Sequence, residues 1–141
     1  MPALFPNGPL IKQLHDRLEK RANNALREKG LTMMQVSVLL ALQEREKKQL
    51  SMKELEQRFQ IAQPTVVGIV ARLEQKGFVE AIGDIADKRI KVARITAAGE
   101  ACCKDAVIHM QETEERLLRG FSEEEKGTLN ALLLRASKNM K

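Results

Sequence analysis

A chain of 141 residues, 43% of them hydrophobic and 30% charged, has room for one compact core with helical arms and none for a second full domain. Four Phe with no Tyr and no Trp leave that core to Leu, Ile, Val, Met and Ala, a set that leans towards helices. The opening MPALFPNGP has neither the basic nor the apolar region of an export signal, and no stretch approaches the ~20 apolar residues of a membrane span, so a cytoplasmic protein with no membrane partner is expected.

The formal charge of +5 permits a nucleic-acid partner, and where the charge sits matters more than its size. Residues 1–31 carry six Lys/Arg against three Asp/Glu, residues 52–96 eight against six, and residues 97–141 seven against eight. The basic surplus therefore lies upstream of the last third. The two cysteines, Cys102 and Cys103, are adjacent, and neighbours on a helix point in different directions, which disfavours a mutual bridge and suits a reducing compartment. Core packing outweighs a redox role for them.

After a loose Pro/Gly opening, Leu10, Leu14, Leu18, Ala22 and Leu26 recur at four-residue steps and predict an amphipathic helix over 10–29, stopped by Gly30. Thr32 and Gln35 form a capping box for an apolar helix from Met33 to Leu42, with Val36, Leu39 and Leu40 on its inner face. Ser51 and Glu54 form a second box, stapled by Leu50 and Leu55, for a short helix over Met52 to Phe59. A turn around Gln60–Ala62 leads to Pro64, which is tolerated in a first turn, and to a helix that buries Val66, Ile69, Val70 and Leu73 and ends at Gly77. Two helices joined by a tight turn, the second apolar on one face, describe a helix-turn-helix.

From Phe78 the period changes. Phe78–Ile82 and Ile90–Ile95 are short β-branched runs around Gly83–Asp87, read as a two-stranded hairpin, with Lys88, Arg89, Lys91 and Arg94 on its return arm. Thr96 caps a long helix to about Arg119, and Ser122 with Glu125 forms a third capping box for a last helix carrying Leu129, Leu132, Leu133 and Ala136.

A helix fits the major groove of DNA, and a basic hairpin beside it reaches phosphates or the minor groove. The exposed face of the second helix offers Gln63, Thr65, Gly68, Ala71 and Arg72. Gln63 suits an adenine edge, Thr65 a phosphate or a thymine methyl, and Arg72 a phosphate. No phosphate loop, nucleophile elbow or HExxH helix is present, and His15 and His109 are far apart with no zinc-type spacing, so neither an enzyme nor a cofactor or metal site is expected.

Gln63-Pro64-Thr65-Val66, then Arg72-Leu73-Glu74-Gln75-Lys76-Gly77-Phe78-Val79, then Asp87-Lys88-Arg89 and Ile95-Thr96-Ala97-Ala98-Gly99 follow one another in an order that resembles the MarR family of bacterial regulators from about Leu10 onward. The resemblance implies a mainly α fold with a small β-hairpin: a winged helix-turn-helix domain over 32–96, an N-terminal arm and dimerisation helix over 1–31, and C-terminal dimerisation helices over 97–141. It implies a homodimer on a pseudo-palindromic duplex operator, a repressor answering to a ligand or stress. In this family's wing, Asp87 would steady Arg89, which enters the minor groove, with Lys88 and Lys91 beside it. A small-molecule effector is expected near the junction of the dimer helices and the winged domain, around Met33, Met34, Leu14 and His15. The sequence departs from the family at Ala62, where a polar N-cap is common, and at Val67-Gly68, where Ser-Arg is common. Val67-Gly68 is the feature in favour of the alternative, a winged-helix protein-interaction module that has lost sequence-specific DNA reading, and the basic wing is the feature against it.

Overall fold

Side-chain caps and left-handed residues set the ends of most elements in the computed structural model, which describes residues 4–84 and 86–141. The first helix, α1 (Asn7–Arg27), begins ahead of the expected Leu10 because Pro9 falls in its first turn, where an N–H has no partner to lose. It closes where Gly30 turns left-handed at φ 67° and the Leu31 N–H donates to the Leu26 carbonyl at 3.0 Å.

Thr32 opens α2 (Met33–Gln43): its hydroxyl accepts from the Gln35 N–H at 3.1 Å, and the Gln35 side chain accepts from the Thr32 N–H at 3.2 Å. Val36, Val38, Leu39, Ala41 and Leu42 are all buried, so this helix is covered on nearly every side and shows no single apolar stripe. The same reciprocal box at Ser51 and Glu54 starts α3 (Met52–Phe59), and Leu50 and Leu55 on either side of it are each 1% exposed. Gln60, left-handed at φ 53°, ends α3 and turns the chain into α4 (Gln63–Gln75). Val66, Val70 and Leu73 are buried there and Ile69 is half-buried. Gly77, at φ 79°, ends α4 as the Phe78 N–H donates to the Leu73 carbonyl.

The sheet has three strands. β1 (Gln49–Ser51) pairs antiparallel with β3 (Lys91–Ile95), which pairs on its other side with β2 (Val79–Gly83), giving the order β1-β3-β2. Sequence reading finds only the β2–β3 hairpin, because β1 is three residues long and its last residue is also the cap of α3. Too few positions remain to show a period of two. The register sets Gln49 opposite Arg94 and Glu80 opposite Arg94 on the other flank.

Leu39, Leu42, Leu50, Leu55, Leu73 and Val79 form the centre of the core, and the first turns of α5 (Ala97–Leu117) complete it with Cys102 and Cys103. The described chain divides into two compact units, one running to Val107 and the other from Ile108 to Lys141. Within the second, Gly120 at φ 84° ends the turn after α5, and the Ser122–Glu125 box starts α6 (Glu123–Asn139), on which Leu132, Leu133 and Leu134 are exposed.

Candidate nucleic-acid interface

The exposed face of α4 is built by exclusion. Burial of Val66, Val70 and Leu73 turns Gln63, Thr65, Gly68, Ala71 and Arg72 outward, and all five are exposed. Val67 stands with them at 50% exposure, a residue that sequence reading left off this face although it lies one helical turn after Gln63. An apolar side chain between polar ones suits a thymine methyl. A Cβ added at Gly68 would meet nothing within 4 Å, so the centre of this face is open. Ala62 supplies no side-chain cap, and only its carbonyl, accepting from the Thr65 N–H at 3.0 Å and the Val66 N–H at 3.2 Å, meets the first turn of α4.

The second part of the site is the hairpin tip. Asp87 and Arg89 lie in the turn before β3 rather than on the strand, with the Ile90 N–H donating to the Asp87 carbonyl at 3.0 Å. The Arg89 guanidinium donates from Nε to Asp87 Oδ1 and from Nη2 to Asp87 Oδ2, both at 3.0 Å, and the Arg89 N–H donates to Oδ1 at 3.1 Å. The hydrogen bond from the guanidinium, more than that from the backbone, holds the Asp87 carboxyl below the ordinary carboxylate range. The pair therefore stays charged through neutral and mildly acid pH and is lost only as pH falls through that lowered value. The Arg89 side chain is 91% exposed, so its remaining N–H groups face solvent.

The other cations of this unit sort into two groups. Arg45 pairs with Glu54 at 3.1 Å, Arg58 with Glu44, and Lys29 with Asp105 at 3.1 Å; Lys76 donates to the Gly30 carbonyl and Lys48 to the Gln43 carbonyl. These fasten helices and turns to one another. Among the described residues of this unit, the side chains of Lys53, Arg72, Lys88 and Lys91 have no hydrogen-bond or ion-pair partner, and neither do those of Arg17, Lys20, Arg27, Lys47 and Lys104, which lie outside α3, α4 and the wing. Lys53, in the first turn of α3, was not singled out by sequence reading; its one distinguishing feature, a cation two residues after a cap, is too common to mark it. Arg94, grouped by sequence with the wing cations, instead donates to Gln49 Oε1 from Nε at 3.1 Å and from Nη2 at 2.8 Å.

The residues expected near an effector lie on α1 and α2. Leu14, Met33 and Met34 are exposed, and His15 lies on the open face of α1 beside Asp16 and Glu19. His15, Asp16 and Glu19 bring a ligand atom each within 4.8 Å of the others, yet all three are exposed and Lys12 claims Asp16 at 2.9 Å, an ordinary solvated helix face.

Cys102 and Cys103 are both buried, and desolvation, ahead of the nearby charges, raises both thiols, Cys103 to about 11. Alkylation by iodoacetamide at neutral pH is therefore expected to be slow in the folded protein and fast in denaturant. Rapid native-state modification, followed by mass spectrometry, would show the thiolates to be accessible after all.

A model described as MarR family matches residues 29–90 of the chain. An uncharacterized HTH-type transcriptional regulator of Bacillus subtilis, YwoH, is 32% identical over 132 residues, covering 91% of this chain and 93% of its own. Among solved structures, a mutant of S. aureus MepR superposes with a TM-score of 0.85 at 23% identity, covering 97% of this chain and 100% of that one. A mutant of E. coli MarR complexed with operator DNA gives 0.72 at 24% identity, with 94% of each chain covered. The likeness in three dimensions is that of a winged helix-turn-helix.

Proposed function

Because the chain belongs to the MarR family of transcriptional regulators, we propose that it binds a pseudo-palindromic duplex operator as a homodimer and represses transcription under control of a small molecule or stress. The family and fold are those of regulators rather than enzymes. The observation that carries the DNA reading is the Asp87–Arg89 clamp: a guanidinium oriented in advance, at the tip of an exposed wing, with donors left for a ligand. Arginine is the side chain favoured in a narrow, electronegative minor groove. In this reading α4 enters the major groove with Gln63, Thr65 and Gly68 towards the bases, while Arg72, Lys88 and Lys91 meet phosphates. The E. coli MarR mutant of this fold is complexed with operator DNA, which supports DNA as the partner.

The arm over 1–31 and the helices over 97–141 are proposed to dimerise, because Leu10, Ile11 and Leu14 on α1 and Leu132, Leu133 and Leu134 on α6 each leave an apolar row in water. Leu14, His15, Met33 and Met34 are proposed to border an effector site that a second subunit completes. An effector would act by preferring one spacing of the two reading helices over another. No described helix is long and apolar enough to cross a membrane, and the protein is proposed to act in the cytoplasm.

The test is an anisotropy titration of a labelled mixed-sequence duplex across salt concentrations, with sedimentation to give the assembly mass. Three phosphate-facing cations from each of two subunits, at roughly 0.9 per phosphate, lead to an expected slope of log affinity against log salt of about −5. A slope near zero, or no binding at low salt, would favour a winged module that uses the Val67-Gly68 face for protein contact instead.

A further inference from the structure

The Asp87–Arg89 clamp sits on a turn that needs an anchor of its own, and the described residues supply one. Asp84, the first residue after β2, accepts at Oδ2 from the N–H of Ala86 at 3.1 Å and from that of Asp87 at 3.3 Å. Its N–H donates to the Ile90 carbonyl at 2.8 Å, closing the tip from the other side. The remaining carboxylate oxygen, Oδ1, accepts from Gln49 Nε2 at 3.4 Å. Gln49 belongs to β1, whose next residue, Leu50, is in the core, and its Oε1 accepts from Nε and Nη2 of Arg94, the residue opposite it in the β1–β3 register. One neutral amide thus joins a cation on β3 to an anion at the wing. Gln49 and Asp84 both border the shallow groove between the loop before β1 and the wing.

We infer that Gln49 and Asp84 are positioning residues for the wing, a relay that carries the orientation of β1 through Asp84 to the Asp87 backbone and so sets how Arg89 is presented. This rests on the reading of Arg89 as a DNA-contacting group. The polarity is specific. Gln49 must offer an acceptor to Arg94 and a donor to Asp84, and its amide does both with its oxygen on one side and its NH₂ on the other. A carboxylate at position 49 keeps the Arg94 pair and turns an anion on Asp84. An amide at position 84 can still accept from the two N–H groups, but it presents its own NH₂ to the NH₂ of Gln49. Combining the two changes restores one donor facing one acceptor with its direction reversed.

The experiment measures affinity of the full-length protein for a mixed-sequence duplex at one salt concentration. It compares wild type, Gln49→Glu, Asp84→Asn, the double variant and each of these in an Arg89→Ala background, with thermal melts to confirm folding. Each single change is expected to weaken binding about three- to tenfold, and the double variant to return to within about twofold of wild type. In the Arg89→Ala background neither change should cost anything further, which a merely structural role would not produce. Should one single variant fail to fold, the other together with the double variant still decides. No recovery in the double variant, or an undiminished loss without Arg89, overturns the relay. An Arg89→Ala protein that binds as tightly as wild type instead overturns the DNA reading of the wing on which the relay depends.

Discussion

Arg89→Ala is expected to cost at least about tenfold in DNA affinity at fixed salt, where Lys88→Ala costs about two- to threefold. A charge-assisted hydrogen bond contributes roughly 1.5–3 kcal/mol, and each 1.4 kcal/mol is a factor of ten. Arg89 brings that energy already oriented: two of its five N–H donors are spent on Asp87 and the rest point outward. Lys88, exposed and without a described partner, must give up rotamer freedom when it meets a phosphate and contributes chiefly to the salt slope. Asp87→Ala should reproduce part of the Arg89 loss even though it removes a negative charge, because the guanidinium is then released from its fixed geometry. It should leave the melting temperature almost unchanged, since an ion pair this exposed adds little to folding. The measurement is a titration of the three variants against one duplex. If Asp87→Ala tightened binding, long-range charge rather than geometry would govern the wing. If Lys88→Ala matched Arg89→Ala, the wing would be a diffuse cationic patch.

Signals that act within a few residues were readable from the sequence. The boxes at Thr32, Ser51 and Ser122 each need only a hydroxyl and, three positions later, a carboxylate or amide, and Gly30 and Gly77 mark helix ends because a left-handed residue closes them. The Asp87–Arg89 clamp spans two residues and was implied by the family resemblance. What sequence reading missed depends on contacts between distant segments. β1 exists because Gln49–Ser51 meets β3, and its pairing with Arg94 removes that cation from the wing group in which chain order had placed it. Asp84 and Gln49 lie 35 positions apart, and neither has a local feature that marks it as half of a pair. Val67 stands in the sequence only as a departure from the family pattern and not as part of the exposed face, although Gln63, Val67 and Ala71 fall on one line along α4 and all three are exposed.

Gly99→Ala is expected to destabilise the fold by about 2 kcal/mol or more, while Gly68→Ala, the same change in another helix, should stabilise it by roughly 0.5–1 kcal/mol. Intrinsic propensity favours alanine by about 1 kcal/mol at both sites, so the difference must come from space. At Gly68 a Cβ meets nothing within 4 Å. At Gly99, buried in the first turn of α5, it would lie 2.3 Å from the Phe78 carbonyl oxygen and 2.6 Å from Ile95 Cγ1. That carbonyl is not free to retreat, since it accepts the Thr96 N–H at 3.0 Å, and Thr96 is itself held between the Gly77 carbonyl at 2.6 Å and the Gly99 N–H at 3.2 Å. Relief therefore requires α5 to lift from the end of α4 and the start of β2. Overpacking of this kind costs roughly 1–3 kcal/mol before any hydrogen bond is lost, and a neutral pair given up would add about 1 kcal/mol. Urea unfolding of the two variants beside wild type measures both signs at once. An unfolding free energy for Gly99→Ala within about 0.5 kcal/mol of wild type would mean that α5 shifts at little cost, and that the close approach at Phe78 does not set its position.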